Sequence, residues 1–339
     1  MSATAAAQVT PERIMQFAWA YATPLILEAA IRHRIFDELD AGAKSTEELG
    51  EATGASARGI RAITDALVGL DFLARDGEGS LSLTPESAAF LVRGKPSFMG
   101  GLILHTSGHL IPRWLHLAEI VGTGMPVKAV NQEDTGSAFF EQFVVDIFPM
   151  SYPSAKTLAA HFQLDSAAQQ VSVLDLAAGS GVWGIALAQC SPLVRVTAVD
   201  WPAVLRTTEK MVAKFGLSDR FTFSAGDLAS ADFGTRHQIA TLGHILHSEG
   251  EAHSRALLAK TFRALAPGGT IAIAEFLVNQ DRTGPVNALL FAVNMLVNTD
   301  EGSTWSFKEI GGWLTEAGFV NPRTLDSPGP SPLILATKP

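Results

Sequence analysis

The fourteen residues 171–184, VSVLDLAAGSGVWG, constrain this chain more than any other stretch. Val171, Val173, Leu174 and Leu176 form a short aliphatic and β-branched run with the length of a parallel strand buried on both faces. Gly184 to Ala188 already belong to an apolar run that continues as a helix. Gly179 and Gly181 lie between the two, at the strand-to-helix turn. Lacking a Cβ, they let the turn adopt positive φ and let another molecule approach its backbone. By itself Gly-x-Gly marks either a ligand-binding turn or a merely tight one.

The rest of the chain can support such a turn with a large core, since 47% of its 339 residues are apolar. That length suggests two domains. The single cysteine, Cys190, excludes an intramolecular disulfide and a multi-cysteine zinc site, and fits a reducing compartment. The N-terminal MSATAAAQVTPERIMQ has no basic region followed by an apolar core, so no secretory signal is expected. No membrane-spanning segment is expected either; the apolar stretch 288–297 is short and carries Asn294. These features predict a soluble cytoplasmic protein, and a net charge of −9 argues against nucleic acid as its main partner.

Organisation changes near residue 165. Before it the periodicity is helical over 12–30, 35–39, 46–52, 57–70, 98–121 and 139–162, with Ser45 and Ser56 as N-caps. FLARDGEGSLSLT (72–84) reads as two strands about an Asp-Gly-Glu-Gly turn, which completes a winged-helix order. Arg58 and Arg61 are the only cations that its second helix could offer DNA, and Asp65 and an acidic wing oppose phosphate. A packing or dimerisation role is the better reading. Apolar Phe17, Trp19, Leu25, Ile26, Ile31 and Phe36, on segments too short to bury alone, predict a symmetric dimer.

From Val171 onward strands and helices alternate, the pattern of a parallel sheet covered on both faces. Strands are predicted over 171–177, 194–200, 221–227, 239–245 and 270–276, then over 321–327 and 332–337. The last two flank Pro328-Gly329-Pro330, so the final strand should run antiparallel at or near an edge. Ligands bind such sheets at the carboxyl ends of the strands. Asp200 ends the second strand, where a carboxylate can accept from both hydroxyls of a ribose; Asp227 ends the third, where it can accept from a purine amino group. Either could instead cap a helix, but with the glycine turn they point together to a nucleoside.

The motifs LDLAAGSGVWG, TAVDWP, SAGDLA and LAPGGTIAIAEF resemble the class I S-adenosylmethionine-dependent methyltransferases. With the winged helix, HLIPRWLHLAEIVGTGMP and ILHSEGEAHSRALLAKTFRALAPGG, nearly the whole chain resembles the plant caffeic-acid-type and bacterial secondary-metabolite O-methyltransferases. The resemblance implies a seven-stranded Rossmann-like α/β sheet preceded by a mainly α winged-helix dimerisation domain. The expected boundaries are 1–108 for dimerisation, 109–165 for connecting helices and part of the substrate pocket, and 166–339 for the cofactor domain. It also implies a homodimer that binds S-adenosyl-L-methionine and a small-molecule acceptor. By matching motifs, Asp175, Gly179 and Gly181 lie along the methionine part, Asp200 at the ribose, and Asp227 with Leu228 at the adenine. Ser151 aligns with a further cofactor contact. Asp175 suits the methionine ammonium, or else a turn acid that bonds only to backbone.

The same resemblance makes His247, in GHILHSEGE, a general base, and Glu275 the carboxylate that orients it. An imidazole is a reasonable base near neutral pH. The chain departs from the family in having Ser248-Glu249 where Asp-Trp follows the histidine, and in reaching about Thr304 where a second glutamate falls. His244, with His247 and Glu249 and with help from His105 or His109, could hold a divalent metal. An odd spacing in a strand, however, puts His244 and His247 on opposite faces, so no metal is expected. Phe139 with Phe143, and Phe291 with Met295, share helix faces and are expected to line a pocket for a planar acceptor. Phe148 and Met150 are weaker candidates of the same kind. The expected reaction is methyl transfer to a hydroxyl of a small aromatic metabolite. A C-methyltransferase, another enzyme of the same fold, or a winged-helix regulator that senses a nucleoside are the alternatives.

Overall fold

Capping chemistry delimits the first helices. In the computed structural model, which describes residues 9–329 and 331–339, Ser45 Oγ accepts the Glu48 N–H at 3.2 Å and the Glu48 carboxylate accepts the Ser45 N–H at 2.7 Å. This reciprocal pair starts the helix Thr46–Thr53, and Ser56 caps Ala57–Gly69 by a single bond, its Oγ accepting the Gly59 N–H at 3.1 Å. Strands β1 (Leu73–Arg75) and β2 (Leu81–Leu83) then pair antiparallel, with Asp76 Oδ1 accepting the Glu78 and Ser80 N–H groups in the turn. Helix, helix and wing follow in the expected order.

The described residues up to Ile111 form one compact unit and those from Pro112 onward form a second. The first has its own core of Leu27, Ile31, Phe36, Leu49, Ile60 and Leu81. Ile31 and Phe36, expected to need a partner chain, are buried inside this unit, whereas Phe17 and Trp19 remain 68% and 70% exposed. The predicted helix 12–30 is two helices, Glu12–Trp19 and Ala22–Arg32, because the chain tightens where the Ala20 N–H bonds back to the Phe17 carbonyl. By length and composition Glu12–Arg32 is apolar enough to cross a membrane, which corrects the expectation that no segment is. Gln16 and Glu28 interrupt its apolar run and concealed this in the sequence.

The predicted helix 98–121 is also broken. Pro112 has no N–H to donate, and a wide π turn over Thr106–Leu110 precedes it, between Gly100–His105 and Ile111–Trp114. The helices Leu117–Thr123, Glu133–Asp146 and Phe148–His161 follow.

The second unit is built on seven strands, β3 (Val171–Leu176), β4 (Val194–Asp200), β5 (Phe221–Ala225), β6 (His237–Gly243), β7 (Leu265–Ala274), β8 (Val320–Leu325) and β9 (Leu333–Thr337). Their spatial order is β5-β4-β3-β6-β7-β9-β8. The first five are mutually parallel and β9 runs antiparallel to both its neighbours. The final strand is therefore antiparallel and near an edge, as expected, one place in from it. β9 is buried along nearly its whole length, while β8 is mostly exposed and contains Pro322, which cannot donate to a ladder; β8 thus takes the edge.

Alternate residues of β3 feed two cores. Val173 packs with the helices Val182–Cys190 and Phe148–His161 on one face, and Leu174 and Leu176 pack with Leu246–Ala264 and Phe307–Glu316 on the other. β6 ends at Gly243 and β7 at Ala274, each two residues before its predicted end. His244, His247 and Glu275 consequently lie beyond the strand ends. The helix Leu246–Ala264 follows β6 almost directly and is interrupted by Gly250 at φ 70°.

Candidate active site

At the end of β3 the chain turns through Ala177, Gly179 and Gly181, all at positive φ, into the helix Val182–Cys190. Asp175 lies beneath this turn with none of its surface exposed. The register of β3 against β6 sets it opposite Thr241, whose Oγ1 donates to Asp175 Oδ1 at 2.7 Å; the Gly184 N–H donates to Oδ2 at 2.9 Å. Burial pushes the Asp175 carboxyl up to about 7, against the pull of these two hydrogen bonds, and the charge of Asp200 adds to the rise. Both oxygens are thus engaged by protein donors. The structure places Asp175 under the cradle, where it holds the first turn of the helix.

Gly184 makes that approach possible. A Cβ there would lie 2.8 Å from Val196 Cγ1 and 2.9 Å from Asp175 Oδ2. Gly243 is equally required, because any Cβ on it would collide with the Trp183 indole. Sequence reasoning passed over both glycines. Each is an isolated Gly inside an apolar element, a signal of close backbone approach.

Asp200 ends β4 half-buried, with Oδ2 accepting the Gly179 N–H at 2.8 Å and Oδ1 accepting the Trp201 N–H at 2.7 Å. Burial raises its carboxyl to about 6, although both N–H groups favour the charged form. Asp200 therefore ties β4 to the glycine turn. Asp227 is exposed just beyond β5, its Oδ1 accepting the Ala229 N–H at 2.8 Å, and Leu228 beside it is half-buried. Ser151 is buried in Phe148–His161, the helix packed against Val182–Cys190.

The ends of β6 and β7 carry a different pair. His247 Nδ1 lies 2.8 Å from Glu275 Oε2, and the His247 N–H donates to Oε1 at 3.2 Å. Glu275 is 2% exposed. Burial works to raise its carboxyl, yet the charge and hydrogen bond of His247, with a further contribution from His244, hold it below the ordinary glutamate value. A carboxylate can only accept, so Nδ1 carries a proton, and Nε2 is the nitrogen that presents a lone pair whenever the imidazole is neutral. The Phe291 ring stands edge-on to this imidazole at 4.9 Å, and Phe276 packs on Phe291 at 4.1 Å.

His244 does not obey the strand parity assumed for it. It has left the strand at φ 62°, so its ring comes within 6.4 Å of the His247 ring instead of pointing to the opposite face. Its Nε2 meets Ser331 Oγ at 2.8 Å. Burial pushes the His244 imidazole down to about 4; Glu275 opposes this and His247 adds to it. His105 and His109 contact each other at 5.2 Å. Among the described residues no group of three or more His, Cys, Asp or Glu side chains could hold a metal ion.

The departures from the resembling family are resolved in detail. Ser248 Oγ donates to the Ile245 carbonyl at 2.9 Å, and the Ser248 carbonyl accepts Asn131 Nδ2 at 3.0 Å. Burial, with Asp227 adding, raises the Glu249 carboxyl. Thr304 is fully buried and donates to the Ala288 carbonyl. Phe139 and Phe143 pack with their rings tilted at 5.2 Å on one helix, and Phe291 and Met295 lie on another, where Met295 is 6% exposed. Arg113 was not singled out in the sequence; its guanidinium lies over Phe139 at 5.6 Å and donates to Asn298 Oδ1 at 2.8 Å.

A sheet of this order, with a glycine turn after β3 and acids at the ends of the next two strands, defines a Rossmann-like methyltransferase domain. Residues 121–320 match the O-methyltransferase domain family and residues 15–93 its dimerisation domain. The chain belongs to the O-methyltransferase family, which uses S-adenosylmethionine, and it is an S-adenosylmethionine-dependent O-methyltransferase. It is 31% identical over 320 residues to the 3-hydroxy-5-methyl-1-naphthoate 3-O-methyltransferase of Streptomyces sahachiroi, covering 92% of this chain and 91% of that one. A crystal structure from Nostoc punctiforme, described as that of an O-methyltransferase, superposes with a TM-score of 0.89 at 28% identity, over 98% of this chain and all of the other. The human N-acetylserotonin methyltransferase in complex with S-adenosylmethionine has the same fold, with a TM-score of 0.83 at 23% identity over 99% of both chains.

Proposed function

We propose that the chain methylates a hydroxyl of a small aromatic metabolite with His247 as general base. The observation that carries this reading is the 2.8 Å contact between His247 Nδ1 and a buried, ionised Glu275, which leaves Nε2 as the proton acceptor beside the Phe291 ring. The naphthoate hydroxyl named for the Streptomyces sahachiroi relative supports an aromatic acceptor.

The residues at the glycine turn fit S-adenosylmethionine. Gly179 and Gly181 leave the turn without side chains, and each Asp200 oxygen gives one lone pair to a backbone N–H while keeping capacity for a ribose hydroxyl. Asp227 and Leu228 would meet the adenine, and Ser151 would approach from the helix packed on the turn. Asp175 acts through the cradle it supports. The bound cofactor supplies an electrophilic methyl group on a sulfonium. His247 takes the acceptor's proton at Nε2, Glu275 fixes the imidazole tautomer, and Phe139, Phe143, Phe291 and Met295 hold the ring plane and exclude water. Much of the acceleration comes from this positioning.

The same reading takes the protein as a cytoplasmic homodimer whose partner is a small molecule and neither nucleic acid nor membrane. The exposed Met15, Phe17 and Trp19 within the dimerisation domain support a protein-covered face. The pairing of Arg75 with Asp65 at 2.6 Å supports a wing that does not meet phosphate.

The test is His247→Ala. Turnover on a phenolic acceptor should fall by about 10²–10⁴ while S-adenosylmethionine affinity, measured by calorimetry, stays within about twofold. Near-full activity in the variant, or a product methylated on carbon, would overturn the assignment.

A further inference from the structure

Arg113 is partly buried, and its surroundings are unusual for a guanidinium. It offers five N–H donors, of which one reaches Asn298 Oδ1 at 2.8 Å, and its face rests on the Phe139 ring at 5.6 Å. Among the described residues no Asp or Glu forms an ion pair with it, and burial alone acts to lower its basicity. A desolvated cation held by one neutral amide and an aromatic face is poised for an anion that the chain does not itself supply.

The helix Val286–Asn298 says where that anion belongs. Phe291, Asn294 and Asn298 follow at i, i+3 and i+7 and so share one stripe. At one end Phe291 stands against His247. At the other Asn298 holds Arg113, while Asn294 Oδ1 accepts the Trp114 indole N–H at 3.0 Å, so two adjacent residues are clamped onto the stripe. Seven residues of helix separate the ends, about 10 Å at 1.5 Å per residue. Two fused aromatic rings with a substituent at each end span about that distance.

We infer that Arg113 binds a carboxylate of the methyl acceptor, which makes the substrate a bicyclic aromatic hydroxy acid whose hydroxyl meets His247. This deepens the proposed function and rests on its placement of the hydroxyl. A planar carboxylate suits the guanidinium because two parallel N–H groups can engage both oxygens. Phe139 beneath the guanidinium keeps its plane in register with the acceptor ring. Arg113 is on this account a specificity-determining residue with no part in proton transfer.

The experiment compares 6-hydroxy-2-naphthoate, whose hydroxyl and carboxylate stand at opposite ends of the fused rings, with its carboxamide, by calorimetry in the presence of S-adenosylhomocysteine and by steady-state turnover. The wild-type protein should bind the acid at least about tenfold more tightly than the amide, and lose that preference as the pH falls below the acid's own pKa. Arg113→Gln should weaken acid binding about 10- to 100-fold, chiefly as a rise in KM, and leave amide and cofactor binding unchanged. Arg113→Lys, which keeps the charge but not the planar fork, should retain part of the preference and guards against a misfolded Gln variant. Equal affinity of the wild type for acid and amide, binding of neither, or an acid preference that survives Arg113→Gln would overturn the inference. Acid binding that depends on Arg113 without methyl transfer to any hydroxyl would instead uphold it and sink the proposed function.

Discussion

Two buried carboxylates at the carboxyl ends of β3 and β7, with β6 between them, have been given opposite electrostatic fates. Asp175 and Glu275 are 0% and 2% exposed. Asp175 is met only by neutral donors, the Thr241 hydroxyl and the Gly184 N–H, and its carboxyl rises to about 7. Glu275 is met by the His247 imidazole and its carboxyl falls below the ordinary value. Burial is nearly equal in the two cases, so the chemistry of the partner decides. A neutral donor lets a buried acid act as a strut, whereas an imidazole keeps it charged and gives it a partner that can move a proton.

The sharpest way to break this contrast is to remove the charge on the Glu275 side. Glu275→Gln keeps the shape but can donate to Nδ1, which would move the imidazole proton to Nε2 and leave no base facing the acceptor. Turnover should fall by about 10²–10³, with S-adenosylmethionine affinity preserved in calorimetry. A variant within a few-fold of the wild type would make the pair structural, like Asp175.

On the other side the contrast predicts a pH dependence of stability. In the unbound protein the native state holds a proton on Asp175 up to about pH 7, whereas the unfolded chain releases it near 3.8. The native state therefore binds more protons between those values, and Asp175 contributes a loss of stability as pH rises through that window. The loss is on the order of 4 kcal/mol. Asp175→Asn can still donate to Thr241 Oγ1 and accept from Gly184, so urea unfolding should show that part of the decline removed. Glu275 has the opposite sign: its contribution is present above the unfolded value of 4.5 and is lost as pH falls through its lower native value. An unchanged pH profile in Asp175→Asn would mean that Asp175 is not the group that holds the proton.

The smallest expected effect concerns Asp200, which is only half-buried and keeps acceptor capacity. Asp200→Ala should weaken S-adenosylmethionine binding by about 1–3 kcal/mol and leave acceptor binding unchanged. Equal cofactor affinity in a folded variant would confine Asp200 to bracing the Gly179 turn, as Asp175 braces the helix.

Much of this arrangement was legible along the chain. The strand, the glycine turn and the acids closing the next two strands are local signals, because strand length, positive φ and capping are settled by neighbours a few residues apart. The winged helix was legible for the same reason, since Ser45, Ser56 and the Asp76 turn are satisfied within four residues. The final strand was harder: an antiparallel partner was implied by the Pro-Gly-Pro turn, but its place inside β8 depended on which strand was buried on both faces. His244 failed for a local reason with a tertiary cause, the left-handed φ where β6 ends against β7, with its N–H donating to the Ala274 carbonyl at 2.9 Å.

The sequence by itself determined the class of sheet, the glycine turn after its first strand and the pairing of His247 with Glu275 as a hypothesis about chemistry. Only the tertiary structure decided that Asp175 lies under the cradle, that Gly184 and Gly243 are required by close packing, and that Arg113 stands with Asn298, 185 residues away. Those facts depend on which strand lies beside which and on how helices pack across the sheet, and long-range contacts of that kind are set by burial of the whole core and leave no period or spacing along the chain.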